Sequence, residues 1–494
     1  MEHMCGVLGI FDNEEVISSL YTGLLTLQHR GQDSAGILTY DGRYHVKKGN
    51  GLIRDIFDEH NIQRLKGHIG IGHTRYPTVG EGTIEDAQPF WINFPYGIAV
   101  AHNGNVTNFL ELKKELFESS HKIINSNCDV EAILNVFAEY LERDKRHEVT
   151  PEIIFNAVRH VYRKAKGAYS VVLHIAGKGM VAFRDPNGIR PLLVGVKNDK
   201  LVPAYAFASE SVTLDAMGFK DIRDLEPGSA IFIDNSRHRF EKRISRAPFR
   251  PCIFEYVYFA RPDSYLNGIN VYQSRVELGK KLAKKIKESG VAIDVVVPVP
   301  DSSRPSAIEV ARLLGLKYRE GLVKSRYIGR TFIMPGDVQR QRSIRHKLNP
   351  IAEVFKDRNV LIVDDSIVRG NTSRLIIEMV RAAGARKVFF ASYSAPLIQP
   401  CVYGIDMQTR SEFIASNSTS EQIAFKIGAD AVIYQDVDDM AAAVRMRHPG
   451  VKTFCRACFT GAYPTGEVSK SLLEQIEQER DGSKSRQLGL STNR

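Results

Sequence analysis

Val360-Leu361-Ile362-Val363-Asp364-Asp365-Ser366-Ile367-Val368-Arg369-Gly370-Asn371-Thr372-Ser373 decides the fold of the second half of the chain. Its first four residues are apolar and fit a fully buried parallel strand. The strand ends in two adjacent acids, Asp364 and Asp365. A Ser/Gly/Thr loop follows, and then Leu375, Ile376, Met379 and Val380 recur at helical spacing. Strand, loop and helix N-terminus together make an anion site, because free backbone N–H groups and the helix dipole point at the loop. Paired acids beside a phosphate cradle suit a ligand that also carries hydroxyls or a metal. An ordinary surface turn has no need of both features.

Outward from this run, the chain alternates strand and helix. A helix is expected near 272–288, a strand at Asp294–Val299, a loop at Pro300–Arg304 and a helix at 306–314. After the helix near 374–383, Gly384 suits a C-cap, and Lys387–Ser392 reads as another strand. Such alternation implies a parallel sheet with its ligand at the carboxyl ends of the strands. A ribose 5-phosphate bearing a magnesium-bound pyrophosphate satisfies both halves of the 360–373 run. The run resembles the 5-phosphoribosyl-1-pyrophosphate (PRPP) motif of type I phosphoribosyltransferases.

Residues 324–347 carry seven Lys/Arg (Lys324, Arg326, Arg330, Arg340, Arg342, Arg345 and Lys347) against one acid, Asp337. Gly329, Pro335 and Gly336 interrupt any long helix there. A basic loop beside a phosphate site suits a polyanionic small molecule, and it accounts for part of the formal charge of +10 without nucleic acid. The loop is expected to act as a lid, with Lys324 and Lys347 on the pyrophosphate. At 494 residues the chain is too long for one ordinary core. No apolar run reaches transmembrane length and no signal peptide opens the chain, so no membrane partner and a cytoplasmic location are expected.

The first half differs. Short β-type runs with many glycines (Cys5–Ile10, Ile69–Gly72, Gly97–Ala101, Tyr169–Ile175, Met180–Arg184, Ala230–Ile233) alternate with helical patterns near 16–28, 108–118, 129–143 and 151–165. The layout is a strand-rich α+β domain. Charged sequence at about 236–250 reads as a strand-poor linker. This gives a leader at 1–4, a first domain at 5–238, a linker at 239–251, a second domain at 252–470 and a polar tail at 471–494.

Cys5-Gly6 opens the first strand. Gly31-Gln32-Asp33-Ser34-Ala35-Gly36, Gly72-His73-Thr74-Arg75-Tyr76-Pro77-Thr78 and Ala101-His102-Asn103-Gly104-Asn105 follow. Together these resemble the class II glutamine amidotransferases, whose domain is an N-terminal-nucleophile (Ntn) hydrolase sandwich. An N-terminal cysteine has an α-amine of pKa about 7.7–8.0 beside its sulfur, able to serve as general base. The resemblance implies that Cys5 attacks the glutamine carboxamide and that Asn103 and the Gly104 N–H hold the oxyanion. It also implies that Arg75 pairs the substrate carboxylate and Asp129 its ammonium. Met1-Glu2-His3-Met4 precede Cys5, so the mature chain is expected to begin at Cys5, whether by leader cleavage, by a start at Met4, or because the extra residues are a cloning remnant.

Cys455-Arg456-Ala457-Cys458 is open to zinc, redox and chance readings by itself. With Cys252 and Cys401 it makes four thiols, enough for a structural zinc or a [4Fe–4S] cluster. The two resemblances in this order are those of the glutamine PRPP amidotransferases, over roughly residues 5–470. One branch of that family carries a four-cysteine iron–sulfur cluster, and Cys252, Cys401, Cys455 and Cys458 match its positions. The family further implies magnesium on Ser302, Asp364 and Asp365, and a 5-phosphate on Ser366, Arg369, Gly370, Asn371 and Thr372. Its activity is a pentosyl transfer opening purine biosynthesis, in a homotetramer inhibited by purine nucleotides. Ammonia passes between the sites through a transient apolar channel, for which Ile328, Phe332 and Ile333 are the candidates. A PRPP-sensing regulator has no use for Cys5, Arg75, Asn103 and Asp129. Other class II amidotransferases demand a different second half.

Overall fold

The computed structural model describes residues 4–76, 83–143, 149–199, 201–325, 348–407, 409–410, 413–446, 448 and 450–478. The first half is a four-layer sandwich. One sheet has seven strands in the order Lys220–Asp224, Leu193–Lys197, Ala204–Ala208, Gly6–Phe11, Ile69–Arg75, Ser34–Tyr40 and Tyr44–Asn50. The other has six, in the order Arg239–Arg243, Ser229–Asp234, Gly179–Arg184, Gly167–Ile175, Ile98–Val106 and Phe90–Ile92. Every pairing in both is antiparallel.

Period-two alternation explains the layers. Val7, Ile69, Ile71 and Phe207 meet Ala99, Ala101, Val172 and Ile231 between the sheets. Leu8 and Ile10 point the other way, onto Leu20 and Leu24 of the helix Ile17–Thr26. Val100, Val171 and Leu173 face outward to the helices Val130–Arg143 and Pro151–Lys164. The latter begins at Thr150, whose hydroxyl accepts the Ile153 N–H, and has Pro151 in its first turn. Such a cap contributes about 1 kcal/mol.

The expected linker starts later than the sequence indicates. Arg239–Arg243 is an edge strand, paired residue for residue with 229–233. Arg239, Glu241 and Arg243 sit on the exposed side, while on the other Phe240 stacks on Phe232 at 6.1 Å. Charges on an edge strand discourage pairing with another chain; here they also hide the strand from a reading based on apolar runs.

The second half holds a five-stranded parallel sheet in the order Lys317–Tyr318, Val295–Pro298, Asn359–Asp364, Lys387–Ser392 and Ala431–Tyr434. Val360 and Ile362 face the helices Asn371–Ala382 and Ser420–Ile427. Leu361 and Val363 face Val271–Ser289 and Arg304–Leu314. Both faces are covered, which is why the run 360–363 is apolar throughout. A separate ribbon pairs Leu322–Lys324 with Leu348–Pro350. The basic segment runs out from this ribbon; Arg326–Lys347, with the lid, Lys347 and the channel candidates Ile328, Phe332 and Ile333, lies outside the described residues. The same holds for residues 1–3, for Pro77 and Thr78, and for the tail from 479.

Candidate active sites

Cys5 stands just before the central strand Gly6–Phe11, which pairs with Ile69–Arg75 so that Gly6 faces Thr74. This brings Cys5 beside Arg75 at the strand's end. Cys5 is buried, and its Sγ lies 3.7 Å from the Tyr76 carbonyl. Burial pushes the thiol up; the Tyr76 contact and the Arg75 and Arg30 guanidiniums pull the other way, against Asp129. Arg75 Nη2 is 3.8 Å from Asp86 Oδ2.

Asn103 and Gly104 lie in the neighbouring sheet, on Ile98–Val106. Asn103 is fully buried, and neither atom of its amide has a hydrogen-bond partner. A buried, unpaired amide is costly unless a ligand completes it. Gly104 has φ +147°, and a Cβ there would fall 2.0 Å from the Ala168 carbonyl oxygen, so no other residue fits.

Asp129 accepts from the Val106 N–H at 2.7 Å and from His102 Nε2 at 3.2 Å. The His102 tautomer follows from its neighbour. Gln88 Oε1 accepts the His102 N–H at 2.7 Å, which orients the Gln88 amide so that its Nε2 donates to His102 Nδ1 at 3.1 Å. His102 therefore carries its proton on Nε2 and gives it to Asp129. Burial alone would raise Asp129, but His102, the Val106 N–H and Arg75 hold it below the usual carboxylate range. His73 donates Nε2–H to the His102 carbonyl at 3.0 Å, and burial keeps it neutral.

The second site sits at the carboxyl end of Asn359–Asp364. Asp364 and Asp365 are both buried. Ser303 Oγ donates to Asp364 at 3.3 Å; Ser302 and Ser366 hydroxyls each donate to Asp365 at 2.6 Å. Burial drives both carboxyls up, and Asp365 adds its repulsion to Asp364. No described Lys or Arg forms an ion pair with either. Gly370 leads into the helix at Asn371, and Arg369 and Asn371 are exposed. Thr372 is half-buried in the first turn. Lys324 Nζ lies 3.5 Å from Asp301 in the facing loop.

The two sites are tied together. Arg30 Nε donates to the Cys5 carbonyl at 2.9 Å, and its Nη2 reaches Glu255 of the second domain at 2.8 Å. Glu255 opens the helical turn Glu255–Phe259, whose Tyr258 carbonyl accepts from Arg275 at 2.9 Å. The Val257 carbonyl accepts from Tyr393 Oη at 3.0 Å, and the same hydroxyl is 3.4 Å from the carbonyl of Ser302. Asn105 Nδ2 also crosses between the domains, to the Val402 carbonyl at 2.9 Å.

The four expected ligand cysteines are buried together. Cys252 and Cys455 form a backbone bridge. Arg190 feels Cys252, Cys401 and Cys455, and Tyr463 feels Cys401, Cys458 and Cys455. Burial pushes Cys401 up to about 11, and raises Cys252 and Cys455 as well. Among the described residues, no three His, Cys, Asp or Glu side chains converge on a point suited to a single metal ion.

An Escherichia coli amidophosphoribosyltransferase is 48% identical over 97% of this chain and 96% of its own. A Saccharomyces cerevisiae one is 45% identical over 97% and 96%. The chain belongs to the amidophosphoribosyltransferases. Within that family it keeps both expected domains: residues 73–216 match the family described as glutamine amidotransferase domain, and 269–396 the phosphoribosyl transferase domain. A solved glutamine PRPP amidotransferase from B. subtilis, complexed with ADP and GMP, is 39% identical, covers 94% of this chain and 98% of its own, and superposes with a TM-score of 0.83.

For an amidophosphoribosyltransferase, sequence reading names most of the polar groups around Cys5 and Asp365. It misses Gln88, Asp86, Arg30, Glu255, Arg190 and Arg275. Only Glu255 leaves a signal, as the one charge in Cys252-Ile253-Phe254-Glu255-Tyr256-Val257-Tyr258-Phe259-Ala260.

Proposed function

We propose that the chain converts glutamine, PRPP and water to 5-phosphoribosylamine, glutamate and pyrophosphate. The observation that carries this is the contact path from the Cys5 carbonyl through Arg30, the turn Glu255–Phe259 and Tyr393 to Ser302, whose hydroxyl donates to Asp365. It makes one machine of a thiol site and a phosphosugar site.

The Cys5 sulfur attacks the glutamine carboxamide carbon. The C–N bond breaks, ammonia leaves with the thiol's proton, and water hydrolyses the thioester to glutamate. The unpaired Asn103 amide and the Gly104 N–H supply the oxyanion donors, in a dry site where they count most. Arg75 takes the substrate carboxylate as a fork, and Asp129, kept ionised, takes its ammonium. Removal of Met4 gives Cys5 the free amine that accepts the thiol proton. Met4 is fully buried, with its N–H on the Arg30 carbonyl at 3.0 Å.

In the second site ammonia attacks C1 of the ribose, and the C1–O bond breaks with its electrons going to pyrophosphate. Ser366, Arg369, Gly370, Asn371 and Thr372 cradle the 5-phosphate, and Lys324 and Lys347 meet the pyrophosphate. Asp364, Asp365 and Ser302 suit magnesium: two buried carboxylates with no ion pair to a described Lys or Arg, Arg275 acting on Asp365 only from a distance, match an ion that takes one or two carboxylates plus substrate phosphates. Bound there, it offsets charge on the leaving group.

The four thiols suit a [4Fe–4S] cluster. Arg190 is fully buried beside them, and its Nε and Nη2 have no partner, which an anionic cluster would satisfy. The same reading gives a cytoplasmic homotetramer with purine nucleotides as inhibitors; the ADP and GMP held by the B. subtilis relative support nucleotide binding. Calorimetry tests the substrate: PRPP titrated with magnesium should give a saturable heat that Asp365→Asn abolishes. No heat with the unaltered chain would overturn the reading.

A further inference from the structure

Arg190 follows a tight turn in which Asp185 accepts the N–H groups of Asn187, Ile189 and Arg190. The adjoining Ile189 carbonyl accepts the Cys252 N–H at 3.1 Å, which fixes Arg190 next to the cysteine group. Its side chain has no exposure at all. Nη1 is accounted for in the chain without Met4 as well, 3.6 Å from Glu255. Nε and Nη2 are not. A guanidinium buried with unused donors is expensive, and such donors are normally satisfied. Burial works against the Arg190 charge, while Cys252, Glu255, Cys401 and Cys455 around it favour that charge. Glu255 is itself engaged by Arg30 through two hydrogen bonds. The spare donors thus have one anionic neighbour left, the sulfur cluster of the preceding reading, on which this inference rests.

We propose that Arg190 is the positioning residue of the iron–sulfur centre, its unpaired Nε–H and Nη2–H serving the sulfurs of the bound cluster and its charge balancing the cluster's negative charge from the amidotransferase side. Hydrogen bonds to sulfur and nearby charge set both the potential and the retention of such clusters. A cation held there favours the reduced, more negative form.

The full chain and its Arg190→Lys and Arg190→Met variants, purified without oxygen, are titrated with dithionite under electron paramagnetic resonance, with iron and sulfide assayed and folding checked by circular dichroism. Arg190→Met should make reduction about tenfold less favourable, equivalent to about 59 mV for one electron, and should shed iron faster in air. Arg190→Lys keeps the charge but loses the fork, so it shifts the same way by less. Loss of iron from a folded variant also supports the proposal. Wild-type potential and iron retention in Arg190→Lys would overturn it even where Arg190→Met fails to fold. An unaltered chain without iron or sulfide defeats the cluster reading instead, and is recognised before any variant is compared.

Discussion

Arg30 and Glu255 meet across the two domains at 2.8 Å, both with side chains shut off from solvent. The same guanidinium binds Glu210 at 2.6 Å and the Cys5 carbonyl at 2.9 Å. The backbone of the nucleophile is therefore held by a residue that the second domain fixes. Removing one partner of a buried pair costs about 3–5 kcal/mol. Glu255→Gln should lower the unfolding midpoint and reduce glutamine-dependent synthesis more than ammonia-dependent synthesis. Equal losses in the two assays would show that the pair serves stability alone.

Asn103 contributes only when an oxyanion forms. Loss of one such donor costs about 10²–10³ in kcat. Asn103→Ala should show that fall in glutaminase turnover with little change in KM for glutamine, read by steady-state kinetics. A change confined to KM would move Asn103 from oxyanion stabilisation to ground-state binding.

The acid pair predicts a pH dependence. Both carboxyls titrate above the ordinary value of 3.8 in the folded chain, because of burial and, at Asp364, of Asp365. The folded state then binds more protons than the unfolded state above that value. Their contribution to stability is full below it and is lost as pH rises through the raised folded values. Denaturant melts of the ligand-free protein should show this decline, and Asp365→Asn should flatten it. An unchanged slope in the variant would remove the pair as its source.

Gly404, in the second domain, presses on the backbone of Gly104. A Cβ at 404 would lie 2.8 Å from the Gly104 carbonyl carbon and oxygen, and Gly404 has φ +98°. Gly404→Ala should displace the oxyanion N–H and cut glutaminase activity from outside the amidotransferase domain. Normal glutaminase kinetics in this variant would mean that the contact yields freely.

Sequence was most informative where one environment dictates residue type. The run 360–363 is apolar because helices cover both faces of its sheet, and Asp364 and Asp365 stand out by contrast. The strands Ser34–Tyr40, Leu193–Lys197 and Ala204–Ala208 escaped because small residues such as Gly36, Gly195 and Ala206 weaken the alternation that marks a strand. Arg239–Arg243 was hidden by its charges. Gln88, which sets the His102 proton, and Arg30, which holds Cys5, act through partners tens to hundreds of residues away. Local pattern carries no trace of such pairings.

The central claim is that nitrogen released at Cys5 reaches the sugar held by Asp364 and Asp365. Amide-¹⁵N-glutamine, PRPP and magnesium, incubated with unlabelled ammonium in the medium, follow that nitrogen directly. The account predicts ¹⁵N in the phosphoribosylamine and one glutamate formed per pyrophosphate, with Cys5→Ala yielding only unlabelled product from ammonium. Labelled product from Cys5→Ala, or glutamate formed without pyrophosphate in the complete mixture, would contradict it.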